Sequence, residues 1–340
     1  MKSLLLLTLI CFIYNGKAQG LYPTYVNENV VYIDSTGSKK LETKHKRCGL
    51  YQNGLAWVII NEAIGFMNTK GEVIIEPKYS ETSGFYEGFA SVVVDNAWGV
   101  INNKGETIVE PKYYEIGIYS DGMCKFKENK SLFSEWGFLD TKGKVAIRPT
   151  FENIDDFHEG LAMFITDAKA GYIDTTGKVV IEPSFYYGAF FKINGKVVFE
   201  KGAFSNGLAA VEINNKFGFI DKTGKVIIAA QYDDVKNFSE GLAAVKIKEN
   251  WGFIDTKGSI IITPTYANVE SFSEGLAAVK IKENWGFINT KGKLIIPATL
   301  FGSIDIGIDL KFKDGVCQAM LTDKVWGYIN KQGKTLWKSK

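Results

Sequence analysis

The sequence predicts an all-β fold built from tandem antiparallel β-meander units with a period of 34 residues. Three observations predict it. Two short phrases return along almost the whole chain, 35 glycines stand against 7 prolines, and strand-length apolar runs end in turn-forming residues. Self-similarity at a fixed period of this length is the mark of a repeat architecture, in which each unit buries its apolar faces against its neighbours.

The first phrase reads Trp251-Gly252-Phe253-Ile254-Asp255-Thr256-Lys257-Gly258, then Ile260-Ile261-Ile262 and Pro264. Its copies start at Val30, Ile64, Trp98, Trp136, Ala170, Phe217, Trp251, Trp285 and Trp326; most starts lie 34 residues apart, with three longer intervals. The second phrase, Phe238-Ser239-Glu240-Gly241-Leu242-Ala243-Ala244-Val245, recurs from Phe272 and more loosely from Tyr51, Phe85, Tyr119, Phe157, Phe204 and Phe312. Leu242 to Ile247 reads as one strand and Trp251 to Asp255 as the next, with Lys248-Glu249-Asn250 near the turn. Asp255-Thr256-Lys257-Gly258 carries the residues of a type I turn closed by a left-handed glycine. Asn takes the place of Asp at Asn68, Asn102, Asn289 and Asn330, which keeps the side-chain acceptor. Ile260 to Ile262 forms the third strand, which Pro264 stops for want of an N–H. Runs such as Val226-Ile227-Ile228 are apolar on both faces and predict a strand covered on both sides. The glycine after each Trp is expected to admit a neighbouring indole. Trp98, Trp136, Trp251, Trp285 and Trp326 are read as structural core, because Ile64, Ala170 and Phe217 replace tryptophan with apolar residues.

These phrases resemble the WG-repeat family of bacterial proteins, named for the Trp-Gly pair that stands intact at Trp98-Gly99, Trp136-Gly137, Trp251-Gly252, Trp285-Gly286 and Trp326-Gly327. The resemblance spans Val30 to Lys338. It implies a β-structured array, frequent export and no established catalytic activity, so it carries no functional residues over.

Two closures fit the pattern. Propellers of one familiar class use four strands and about 40–45 residues per blade, more than this period provides. Nine Trp-Gly-type hairpins alternate with eight intervening strands, so the chain ends are not complementary. An open, curved β-solenoid is therefore favoured, with a β-propeller as the alternative.

The N-terminus reads as a leader over residues 1–18. Lys2 supplies a positive charge and Leu4 to Ile13 an apolar run too short to span a bilayer, while Gly16 and Ala18 are the small residues of a cleavage site before Gln19. The expected organisation is this leader, a lead-in over 19–29, and the repeat array over 30–340. The expected location is exported: periplasmic, cell-surface or extracellular. No later segment approaches the length of a transmembrane helix. Without the leader, basic and acidic residues number 38 each, which argues against nucleic acid as a partner.

No catalytic, cofactor or metal constellation emerges. Cys48, Cys124 and Cys317 lack C-x-x-C spacing and read as small buried hydrophobes. His45 and His158 have no matched ligand nearby and are expected to face solvent. Asp140, Asp174, Asp221 and Asp255 offer one carboxylate per turn, which suits turn capping better than calcium, a cation that takes six to eight oxygens. Glu87, Glu159, Glu240 and Glu274 each precede a glycine, and Asp121, Asp314, Asn53 and Asn206 replace them elsewhere; this pattern fits a loop acceptor rather than a catalytic acid.

The interval from Ala170 to Phe217 is 13 residues longer than the period. The extra length falls within Tyr186 to Phe204 and carries Asn194-Gly195, a strong hairpin signal. It predicts a protruding hairpin, whose Tyr186, Tyr187, Phe190, Phe191, Phe199 and Phe204 are the candidate partner-binding residues. The functional expectation is a non-enzymatic, exported scaffold that binds a protein or an envelope component. The alternative is a glycan- or cell-wall-binding module that stacks polysaccharide on aromatic platforms.

Overall fold

The computed structural model describes residues 20–131, 135–186, 190–193, 196–199, 201–301 and 310–339. Asp234–Val235, Leu242–Ile247, Asn250–Asp255 and Ile260–Tyr266 show the common unit: four antiparallel strands, hydrogen-bonded in chain order. The inner segment continues beyond Val235, because Lys236 N–H donates to Ala244 O and Ser239 exchanges backbone hydrogen bonds with Leu242. Glu240 and Gly241 join it to the second strand, both with the positive φ that a two-residue primed hairpin turn requires (54° and 80°). At the hairpin between the third and outer strands, Asp255 Oδ1 accepts the N–H groups of Lys257 and Ser259, and Gly258 closes the turn at φ 84°.

The outer strand then detours. Phe253 faces Ile262 but Trp251 faces Tyr266, so four residues of the outer strand answer two of the third. The extra length throws the Ile262 carbonyl and the Pro264 nitrogen over Gly252, where a Cβ would lie 2.4 and 2.6 Å from them. Gly65, Gly99, Gly137, Gly218 and Gly286 meet the outer strand of their own unit in the same way. The Trp-Gly glycine thus admits its own unit's backbone, not a neighbour's indole as expected. The irregular pairing also leaves Ile260 and Ile261, adjacent in sequence, 52% and 45% exposed. The outer strand is therefore open on its solvent side, contrary to the reading of a run covered on both faces.

Nine such units follow one another and act as blades. Blade 1 begins at Tyr22–Val26, which pairs with Asn29–Ile33, so the array starts inside the segment read as a lead-in. Its described residues form three strands. Blade 5 runs over 153–186, blade 6 over 205–232, blade 7 over 234–266, blade 8 over 268–301 and blade 9 over 313–338.

Each blade interface has its own apolar cluster. Between blades 7 and 8, Leu242, Ala244, Trp251, Phe253 and Ile262 pack on Val269, Phe272, Ala277, Val279 and Ile288. Phe253 meets Phe272 edge to face at 4.8 Å, and Phe66–Phe85, Phe138–Phe157, Phe219–Phe238 and Phe287–Phe312 repeat the contact. Such pairs contribute roughly 0.5–1.5 kcal/mol beyond their buried area. Cys124 and Cys317 stand where other blades have the small Ala243 or Ala277, and the three described cysteines are buried.

An open array of nine blades would have eight interfaces. Here a further cluster joins the last blade to the first through Tyr22, Ile33, Val316 and Tyr328. The Tyr22 hydroxyl donates to Lys313 O at 2.6 Å, and the Tyr328 hydroxyl donates to Pro23 O at 3.1 Å. Gly37 sits against Leu336 much as Gly71 sits against Leu41 and Gly258 against Ile228. The ends meet, and the array closes into a nine-bladed β-propeller ring. The open solenoid favoured from sequence gives way to its alternative. The period proved long enough because two-residue turns and a largely irregular inner segment fit four strands into 34 residues.

Candidate functional site

The inner segments carry polar contacts from blade to blade. Glu240 accepts the N–H groups of Glu274 and Gly275 at 2.6 and 2.8 Å, in the turn of the next blade. Glu87 does the same for Asp121 and Gly122, while Asp121, Glu159, Asn206 and Glu274 each hold the N–H of the following turn glycine. The acidic series is thus an acceptor series, as its spacing implied, but its donors belong to the neighbouring blade. The Asp255-type series stays local: Asp174, Asp221 and Asp255 lie below the usual carboxylate range because each accepts hydrogen bonds within its own turn.

The tryptophans are packing residues to different degrees. Trp251 and Trp285 are buried, and Trp98, Trp136 and Trp326 are half-buried against the interface clusters. Lys125 and Lys127 lie over the Trp136 ring at 5.5 and 4.8 Å. Lys125 replaces the small residue at the Ala244 position, and Gly117 leaves it room. It crosses the interface to Asp156 at 3.2 Å, and burial pushes the neighbouring Asp155 carboxyl up to about 6. Repeat spacing does not point to this cluster; the charge at Lys125 within an apolar strand and the Asp155-Asp156 pair are its signals in the sequence. Among the described residues no group of three His, Cys, Asp or Glu side chains could hold a metal.

The insertion between blades 5 and 6 gives the most distinctive surface. Val179–Tyr186, the outer strand of blade 5, ends with Tyr186 60% exposed. Beyond it, Phe190–Ile193 pairs with Lys196–Phe199 as a separate two-stranded sheet, with Phe190 opposite Phe199 and Phe191 opposite Val198. Tyr187 lies outside the described residues. Phe204 leaves the candidate set: it is buried, with its ring 5.0 Å from that of Tyr172, because it fills the inner-segment aromatic position of blade 6. The outer strands on either side expose Val179 and Val180 on blade 5 and Val226 and Ile227 on blade 6.

The sequence profile of the WG containing repeat family matches residues 64–96, 98–130, 136–169, 171–203, 194–217, 217–251, 251–285 and 285–304. The chain belongs to the WG containing repeat family. Its Trp-Gly pairs mark the third strand of the blade, and the glycine is where the outer strand crosses. Comparison with curated protein sequences finds no match. Among solved structures, a crystal structure of the eukaryotic initiation factor is similar at a TM-score of 0.61 and 11% identity, over 95% of this chain and 96% of that one. This likeness concerns the fold alone. BamB from Moraxella catarrhalis (TM-score 0.40, 10% identity, 94% and 93% coverage) and Hsv2 from Kluyveromyces lactis (0.39, 12%, 72% and 87%) are more distant.

Proposed function

We propose that this WG-repeat ring is an exported, non-enzymatic scaffold that binds a protein partner through the surface around the inserted hairpin. The observation that carries the reading is the hairpin itself: a two-stranded sheet that, among the described residues, is hydrogen-bonded to no blade and follows the exposed Tyr186. A lone two-stranded sheet is marginal in water and gains from being covered. Aromatic side chains dominate interface energetics when they are buried on binding. The charge at Lys2, the apolar run from Leu4 to Ile13 and the small Gly16 and Ala18 support export.

The aromatic-platform reading loses support because the Trp series is spent on blade packing. The test is a photo-crosslinking residue at Tyr186, compared with one at Ile260 on the opposite flank of blade 7, in the native envelope. A protein adduct confined to Tyr186 supports the reading. Adducts at both sites or at neither, or glycan at Tyr186, overturn it.

A further inference from the structure

The strands of a blade alternate in direction, so the Glu240-Gly241 turn and the turn over 255–258 lie at one end of blade 7, and the turn at Lys248-Glu249 lies at the other. Closure sets equal register positions of successive blades at one height on the ring. The first residue of the outer strand is such a position: Val145, Val179, Val226, Ile260 and Leu294 face Leu139, Ile173, Ile220, Ile254 and Ile288 on their third strands. These five residues are exposed, and so are the aliphatics that follow four of them, Val180, Ile227, Ile261 and Ile295. Five consecutive blades, 4 to 8, thus expose aliphatic side chains beside the same end. At the other end the large aliphatics exposed among the described residues are Val26 and Ile247.

Lysine accompanies the aliphatics. Lys144, Lys178, Lys225 and Lys293 stand directly before those of blades 4, 5, 6 and 8, and Lys257 stands in the turn before those of blade 7; all five are exposed. The acids at this end are engaged by the fold. Asp140, Asp174, Asp221 and Asp255 each have a carboxylate oxygen held by two N–H groups of their own turn. Glu159, Glu240 and Glu274, nearer the axis, hold the turn of the next blade, and two of them also hold Lys222 and Lys331. Glu182 is the one acid on the five outer strands, against Arg148. Blades 2 and 3, with outer strands Val73–Tyr79 and Thr107–Tyr113, are built the other way. Glu72 and Glu106 stand in the lysine place, Glu76 and Glu110 are exposed further along, and Ile74 is the one large aliphatic exposed on these two strands.

We propose that this rim docks the ring on an anionic phospholipid bilayer, with the aliphatic side chains of blades 4 to 8 entering the headgroup–acyl boundary and the lysines pairing with headgroup phosphates. Two features select a bilayer over a protein. The first is chemical: a lysine lays its stem along apolar surface and keeps its ammonium in the polar layer, as interfacial membrane binders do. The second is shape: residues at one height across five blades can all touch a plane together, whereas the surface of a globular partner curves away. Blades 2 and 3 would bring acids against anionic headgroups, so the ring tilts to lift them clear. This contact is separate from the one at the inserted hairpin, which is judged by protein adducts alone, so either can fail without the other.

The test uses the full gene product as its own cells process it, floated with vesicles of phosphatidylglycerol or of phosphatidylcholine. Binding to the first and not to the second is expected. A lysine near an anionic surface contributes about fivefold in affinity, so Lys225→Gln with Lys293→Gln should weaken binding roughly thirtyfold at low salt. The same loss of charge at the opposite end, Lys248→Gln with Lys282→Gln, should leave binding unchanged. Ile260→Ser with Ile261→Ser should weaken it at every salt concentration while the thermal midpoint stays, because both sites are already exposed. No binding to phosphatidylglycerol, equal loss in the two lysine pairs, or undiminished binding by the serine pair each overturns the docking. A photo-crosslinking residue at Ile261 in the native envelope should yield a lipid adduct; a protein adduct there overturns the proposal in favour of a protein partner.

Discussion

At Gly252 the absence of a side chain is a packing requirement, since the Ile262 carbonyl sits 2.4 Å from where a Cβ would be. The obstacle is backbone, which cannot swing aside as a side-chain tip can. Gly252→Ala is expected to cost about 1–3 kcal/mol, the range for overpacking; an unchanged denaturant midpoint would refute the crossing geometry. Trp251 covers the same interface from a buried position, so Trp251→Ala should cost about 3–5 kcal/mol by equilibrium unfolding. Asp155 gives a pH signature. Its folded-state pKa of about 6 lies above the unfolded value near 4, so the folded state binds the proton more tightly. Stability should therefore fall as pH rises from about 4 to about 6. Asp155→Asn should flatten that slope in thermal unfolding; a slope unchanged by the substitution would locate the titration elsewhere.

At the scale of elements, the blade depends on turns and the hairpin does not depend on the blade. Glu240-Gly241 and Asp255 to Gly258 set the strand order locally through positive φ and a carboxylate that accepts two backbone N–H groups. Among the described residues, the inserted Phe190–Ile193 and Lys196–Phe199 pair with each other and with no blade strand. Shortening the chain between Tyr186 and Lys201 should leave the thermal midpoint within a few degrees while abolishing partner crosslinking. The limit on the deletion is set by Gly202, whose carbonyl accepts the Tyr172 hydroxyl at 2.8 Å, and by the buried Phe204. Loss of the whole transition on this deletion would assign the hairpin to the core.

At the scale of the molecule, closure makes residues almost a full chain length apart depend on each other. Tyr22 is 5% exposed and fills the seam at a position where other blades carry the small Ala or Cys. Tyr22→Ala should open that seam, and hydrogen exchange should quicken at residues 313–316 and 328 on the far end of the sequence. Exchange that quickens only next to position 22 would contradict the ring.

The sequence by itself determined the strands, their order and most of their turns, because each rests on residues a few positions apart: Asp255 with Gly258, Glu240 with Gly241. Pro264, read as the end of the outer strand, instead lies within Ile260–Tyr266, where pairing with the third strand is interrupted and no ladder N–H is needed. The sequence also determined the repeat, the family and the inserted hairpin's site. Tertiary structure decided the rest. That Gly252 yields to its own outer strand follows from a detour in pairing, which alternation of apolar residues does not encode. That Phe204 belongs to the core and Tyr186 to the surface depends on which blade each one faces. Lys125 and Asp156 meet only across an interface. Closure is the furthest from local chemistry, since it sums the rotation between successive blades around nine interfaces. No single repeat records that sum, and contacts between the chain ends, such as those of Tyr22 with Lys313 and Asp314 and of Tyr328 with Pro23, reveal it.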